Sequence, residues 1–181
     1  LGDGDLAMHV ERTRRLASGE SLSGITEAIA KRLAIPASIV PMTDDIVATL
    51  VGTACGELAF QDYFVRQQCA PRVTSLRFSG AERTRPAAKA VAALRSPGLA
   101  AVVVCPSNPY LSIDPILAIP GMKELLRDCP APIVAVSPLI GGKAVKGPTA
   151  KIMAELDLTV SAVEIAKHYS EVIDGLVVDV G

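Results

Sequence analysis

Tryptophan is absent from this sequence, and three tyrosines and three phenylalanines are its only aromatic residues. So few flat side chains exclude a platform on which successive nucleic-acid bases would stack. Neither sign of charge dominates: 18 lysines and arginines stand against 19 aspartates and glutamates, for a formal net charge of −1 and a pI near 6.2. That balance argues against a basic footprint for DNA or RNA. No apolar run approaches the ~20 residues that span a bilayer; the longest, residues 99–105, has the length of a strand. The four cysteines, Cys55, Cys69, Cys105 and Cys129, form no C-x-x-C pair, which points to the reduced thiols of a cytoplasmic protein rather than a zinc site or disulfide framework. His9 and His168 stand far apart, so neither an H-x-x-x-H metal pair nor a histidine-based triad is legible.

What is abundant is aliphatic. Half of the 181 residues are hydrophobic and 20% are charged, enough for one sizeable core and incompatible with disorder. Alanine, valine, isoleucine and leucine carry that content, as buried parallel strands between helices require. Residues 1–70 read as a helix pair followed by a hairpin. Leu6, Val10 and Thr13, then Leu22, Ile25, Ile29 and Leu33, repeat at helical spacing, with Ser21 or Ser23 as an N-cap. Strand-like runs at 46–53 and 57–65 meet at the turn Cys55-Gly56. Alternation in the second run puts Phe60, Asp62 and Phe64 on one face and Gln61, Tyr63 and Val65 on the other. Such a strand forms either a small core or a wall for a ring-shaped ligand. Across residues 71–181 the rhythm is strand, helix, strand: strands at 73–78, 100–105, 132–137 and 175–180, helices at 87–94, 115–127, 148–155 and 161–167. The expected class is α/β, a parallel sheet with helices on both faces and an inserted helix/hairpin subdomain.

In open α/β sheets ligands sit beyond the carboxyl ends of the strands. Two such segments carry polar residues. Ser107 and Asn108 lie between Pro106 and Pro109, which stiffen the loop and make it a candidate for a phosphate or base edge, against an ordinary turn. Ser112 or Asp114 then caps the following helix, whose N-terminus also suits an anion. Gly141, Gly142 and Lys143, with Lys146 and Lys151 behind them, form a glycine turn whose amides and cations suit phosphate oxygens; a plain turn with solvated lysines explains them equally well. The G-x-x-x-x-G-K-[ST] loop is not present. Of the tight carboxylate pairs, Asp3 with Asp5 and Asp44 with Asp45, Asp44 reads as a cap.

Six ordered blocks carry a resemblance. LGDGDLAMHVERT (1–13), PMTDD (41–45), ELAFQDYFVR (57–66), PSNPYLSIDPILAIPGM (106–122), AVSPLIGGKAVKGPTAKIM (135–153) and KHYSEVIDGLVVD (167–179) resemble the 2-phospho-L-lactate transferase family of coenzyme F-420 biosynthesis, from end to end of the chain. The resemblance implies a Rossmann-like core and a homodimer. It also implies transfer of a phospholactyl or phosphoenolpyruvyl group from a guanosine diphosphate-linked donor to a deazaflavin (7,8-didemethyl-8-hydroxy-5-deazariboflavin), releasing GMP with help from magnesium. Carried onto this sequence, Ser107, Asn108, Ser112, Gly141 and Gly142 line the nucleotide side, within a core spanning 71–181. Asp3, Asp5, His9, Phe60, Tyr63 and Arg66 approach the acceptor, within the subdomain spanning 1–70. Gly4 departs from the Arg or Lys the family carries between its aspartates. The family's glycine-rich first strand and metal-binding carboxylates would precede Leu1, so the chain is expected to be a central fragment. Two other readings stand beside this one: a non-catalytic nucleotide-sugar-binding regulator of the same fold, and a fragment without activity of its own.

Overall fold

Helix dipoles suit the charges of the first element. The computed structural model describes residues 2–141, 143–144 and 147–180, and α1 (Asp3–Ala17) has Asp3 and Asp5 in its first turn and Arg14 and Arg15 in its last. It buries none of its residues. α2 (Leu22–Arg32) starts at Ser21, whose hydroxyl accepts from the Gly24 amide at 3.2 Å, and buries Ile25 and Ala30. Asp44, from a distant segment, accepts from the Ser23 amide at 2.6 Å; the expected cap is there, built by tertiary rather than local contact.

β1 (Ala48–Thr53) and β2 (Gly56–Ala59) form the expected hairpin, in a register that sets Thr53 opposite Gly56. β3 (Ser75–Ser79) pairs antiparallel with the other edge of β1, Ala48 opposite Ser79, giving the order β2-β1-β3. The strand expected at 73–78 therefore exists, but it completes this antiparallel sheet instead of opening the parallel series. Glycine at 52 permits the approach, since a side chain there would run into Ser75.

The second hairpin strand stops at Ala59. Residues Asp62–Arg66 form a wide helical turn, closed by the Gln67 amide donating to the Asp62 carbonyl at 2.9 Å. The strand expected through Val65 is thus corrected. A helical turn brings Phe60 and Phe64 into a stack with ring centroids 5.3 Å apart, lets Arg66 pair with Asp62, and turns Tyr63 fully into the core.

The second half alternates as expected. After α3 (Ala88–Leu94), the parallel strands β4 (Val102–Val104), β5 (Ile133–Val136) and β8 (Gly175–Val177) lie side by side in that order. Val102 pairs with Ile133, and Val134 with Gly175. The first crossover carries α4 (Asp114–Leu117) and α5 (Met122–Arg127). The second carries a two-stranded ribbon, β6 (Leu139–Ile140) with β7 (Lys143–Ala144), then α6 (Thr149–Glu155) and α7 (Ala162–His168). With helices on both sides of a parallel sheet, the α/β class holds. The single helix expected over 115–127 is two, because Pro120 disfavours helical geometry in the residue before it and Gly121 takes φ +87°.

Both sheets share one core. Val51, Tyr63 and Val73 from the first half pack in one cluster with Ala135, Ile152, Met153 and Ile165 from the second. Burying each large side chain contributes about 1.5–3 kcal/mol. Among the described residues, no helix is long and apolar enough to cross a membrane.

Candidate functional site: a cleft at the carboxyl ends of the parallel strands

All three parallel strands run out on the same side, and the segments that follow them enclose a cleft of ≈730 Å3. β4 leads into Pro106, Ser107 and Asn108; β5 into Ser137–Ile140; β8 into Val178 and Asp179. This is where an open α/β sheet places its ligand.

The wall after β4 is built around Asn108. Its side-chain oxygen accepts from the amides of Tyr110 (3.0 Å) and Leu111 (3.1 Å), capping a wide turn, Pro109–Ile113, with proline at its first position. Two amide donors on that oxygen fix which way the carboxamide faces. Its nitrogen, Nδ2, is then left buried with no hydrogen-bond partner among the described residues. An unsatisfied buried donor costs about 1–3 kcal/mol, and this one belongs to a residue that lines the cleft. The sequence reading gave Ser112 or Asp114 the task of capping the helix that follows; α4 has no side-chain cap, and Asn108 caps the turn before it. Ser112 lines the cleft, and its amide donates to the Asn108 carbonyl at 3.0 Å.

Asp114 turns the other way. Its Oδ1 lies 2.7 Å from His168 Nε2 on α7, and the His168 ring packs edge-on against Tyr110 and Tyr169. Burial, reinforced by the negative charges of Asp114 and Glu164, pushes the Tyr110 phenol up to about 12. Burial likewise raises Tyr169. Nothing in the sequence ties His168 to a carboxylate 54 residues away.

After β5, the Ser137 hydroxyl accepts from the Leu139 amide at 3.1 Å and is spent on its own turn. Gly141 takes φ +54°, and its amide donates to Asp179 Oδ2 at 2.8 Å. Asp179 lines the cleft and Gly141 does not. Gly142 and Lys146 of the expected glycine–lysine turn lie outside the described residues. Gly147 and Pro148 close this side and lead into α6.

A further wall is aromatic. Phe60 and Phe64 line the cleft as a near-parallel pair, 22° between ring planes. Tyr63 is buried behind them, its hydroxyl 3.4 Å from Lys151 Nζ. Lys151 also donates to Glu155 (2.7 Å) and to the Pro71 carbonyl (2.9 Å). Burial pulls the Lys151 ammonium down, but Glu155 and Tyr63 outweigh it, leaving it above the usual lysine value. Burial pushes Glu155 up, and Lys151 with the Val73 amide outweighs that, holding it below the usual carboxylate value.

Of the residues singled out from sequence, Ser107, Asn108, Ser112 and Phe60 meet in this cleft. Tyr63 backs its aromatic wall. Arg66 is exposed on Asp62, and Asp5 accepts from the Gly2 amide at 3.2 Å in the first turn of α1, beside Asp3. His9 lines a separate groove between α1 and α2. Sequence reasoning set Phe64 on one face with Phe60 without singling it out, and it missed Asp179, although Asp179 follows a parallel strand just as Asn108 does. Among the described residues, no three His, Cys, Asp or Glu side chains converge as metal ligands, and Asp179 is the one carboxylate on the cleft wall. These residues do not make a magnesium site. They do combine a hydrogen-bonding wall with an aromatic one, which suits a polar, anionic group beside a flat ring.

The family profile for 2-phospho-L-lactate transferase CofD matches residues 1–181. The chain is 38% identical over 179 residues to the 2-phospho-L-lactate transferase of Methanosarcina acetivorans, covering 99% of this chain and 57% of that protein. It is 36% identical over 184 residues to the phosphoenolpyruvate transferase of Streptomyces griseus, with the same coverage. The chain thus spans little more than half the length of these curated relatives. Among solved structures, protein BH3568 of Bacillus halodurans superposes with a TM-score of 0.60 at 15% identity, covering 87% of this chain and 48% of that one. At that identity the likeness concerns the fold alone.

Proposed function

The chain belongs to the 2-phospho-L-lactate transferase CofD family, and from that premise we propose that it carries the substrate cleft of an F-420-pathway transferase. In this reading a phospholactyl or phosphoenolpyruvyl group passes from a guanosine diphosphate-linked donor to a deazaflavin, and GMP is released. Relatives bearing both transferase names stand at similar identity, so the donor's three-carbon acid is left as that pair. The observation that carries the proposal is that Asn108, whose buried Nδ2 has no hydrogen-bond partner among the described residues, lines the same cleft as the Phe60–Phe64 pair.

The roles follow from the walls. Ser107, Asn108 and Ser112 offer hydroxyl and amide groups to the nucleotide, and the family resemblance assigns Gly141 and Gly142 to the same side. Phe60 offers a face to the deazaflavin ring. The acceptor hydroxyl attacks the donor phosphorus, the bond to the GMP oxygen breaks, and the nucleotide leaves with the bonding pair. Such a transfer asks the protein chiefly to hold attacking and leaving oxygens in line and to keep water out. Magnesium would supply charge neutralisation at the transferred phosphate, but among the described residues no cluster of three His, Cys, Asp or Glu converges to hold it. Residues 1–70 would serve the acceptor side and 71–181 the nucleotide side, in a cytoplasmic homodimer. Asp3, Asp5, His9 and Arg66 would reach the acceptor only from outside the cleft described above.

The test uses the full-length protein. Calorimetric titration is expected to show GDP binding, and incubation with either guanylylated donor plus the deazaflavin is expected to give a phosphorylated deazaflavin by mass. No product with either donor overturns the proposal. Tight binding of a UDP-sugar without affinity for guanine nucleotides would replace it with the regulator reading.

A further inference from the structure

We propose that Lys151 is a positioning residue: through Tyr63 it holds the Phe60–Phe64 pair in place, and so sets affinity for the flat-ring ligand without touching either substrate. The identity of that ring rests on the function proposed above; the positioning itself does not.

A lysine shortly after a glycine turn invites a phosphate-binding role. Here its ammonium is spent. It has three protons to donate, and three acceptors lie within reach: Glu155 at 2.7 Å, the Pro71 carbonyl at 2.9 Å and the Tyr63 hydroxyl at 3.4 Å. The charge also sits 5.7 Å from the centre of the Tyr63 ring. Glu155 adds a bond from the Val73 amide at 2.9 Å. The neighbouring segments at 63 and 71–73 are thereby tied at one point to the distant segment 151–155.

Tyr63 sits between the two phenylalanines in a single helical turn, so it cannot shift without moving both. Locally that turn is held by backbone bonds from Gln67 to Asp62 and from Cys69 to Tyr63, both 2.9 Å, and by the exposed Arg66–Asp62 pair. Gln68 and Cys69, just after it, hold φ of +48° and +58°, a region that costs a non-glycine residue about 1–3 kcal/mol unless the surroundings impose it. On the other side of the tie, α6 begins directly after Gly147 and Pro148, which line the cleft beside Phe64. Lys151 thus sets the distance between the aromatic wall and its neighbour.

The experiment compares wild type, Lys151→Met, Lys151→Arg, Tyr63→Phe and the double variant Tyr63→Phe/Lys151→Met in the full-length protein. Binding is read with GDP by calorimetry and with 8-hydroxy-5-deazariboflavin by fluorescence, and ligand-free hydrogen exchange is followed over residues 60–69. Losing the tie is expected to weaken deazaflavin binding roughly tenfold, about one hydrogen bond's worth, while GDP binding stays within about twofold. Exchange over 60–69 speeds up while β4, β5 and β8 are unchanged. Lys151→Arg restores most of both. Adding Tyr63→Phe to Lys151→Met changes little further, because the two act along one line.

A loss of GDP affinity in Lys151→Met with a flatter salt dependence overturns the proposal in favour of a direct phosphate contact. So do unchanged exchange over 60–69, or additive single effects. Should Lys151→Met fail to fold, Tyr63→Phe, which removes one hydroxyl and leaves the ring buried, decides alone. If wild type binds neither probe, the proposed function fails, and the exchange measurement still decides the positioning role.

Discussion

Asn108 divides its amide between two tasks. Its oxygen organises the Pro109–Ile113 turn, and its buried nitrogen has no partner among the described residues. Asn108→Asp keeps the accepting oxygen but replaces the donor with a negative charge, so GDP binding is expected to fall at least about tenfold with the folding midpoint little changed. Asn108→Ala also loses the cap, costing about 1 kcal/mol in urea unfolding. From sequence, Ser107 and Asn108 could be put just beyond a parallel strand because the end of a buried strand is recognisable. It could not show which amide atom the backbone would consume, nor join Asp114 to His168. Glu155 makes a second residue-scale prediction. Its acidity is strengthened in the fold, so its contribution to stability is present at neutral pH. That contribution is lost as pH falls through the ordinary carboxylate range, about 4.3, towards the lower folded-state value. Glu155→Gln is expected to be less stable at neutral pH and to show a shallower acid loss in urea midpoints measured across that range.

Among the elements, the turn after β2 shows where periodicity deceives. Positions i and i+4 share a face in a strand and in a helix alike, so Phe60 and Phe64 fit both readings. Asp62 and Arg66, also four apart and ion-paired, carried a helical signal that could have decided it. For β3 the strand type was legible and the partner was not, because pairing depends on the close approach at Gly52 rather than on its own residues. The break after α4 had its signal in Pro120-Gly121. Replacing Gly121 (φ +87°) by alanine meets no neighbour within 4 Å, so it costs only conformational strain, about 1 kcal/mol. At Gly80 (φ +91°) a new Cβ would also lie 2.5 Å from the Ile46 carbonyl oxygen, so Gly80→Ala is expected to lower the urea midpoint further than Gly121→Ala.

On the scale of the whole molecule, the α/β class was legible from aliphatic runs alternating with helical stretches, while the sharing of one core by both sheets was not. Val51 and Ile152 belong to different sheets' surroundings, yet both are fully buried in one cluster. Ile152→Ala is therefore expected to cost about 2–5 kcal/mol and to shift a single transition in which far-ultraviolet and tyrosine signals move together. Separate transitions would show that the two halves fold independently. The lone donor on Asn108 has one last consequence. The fold carries a standing penalty at that buried nitrogen, and an oxygen atom brought to it would relieve that penalty. Part of the affinity is thus laid down during folding, before any ligand arrives, and an occupied cleft should make the surrounding turn the slowest stretch of this edge to open.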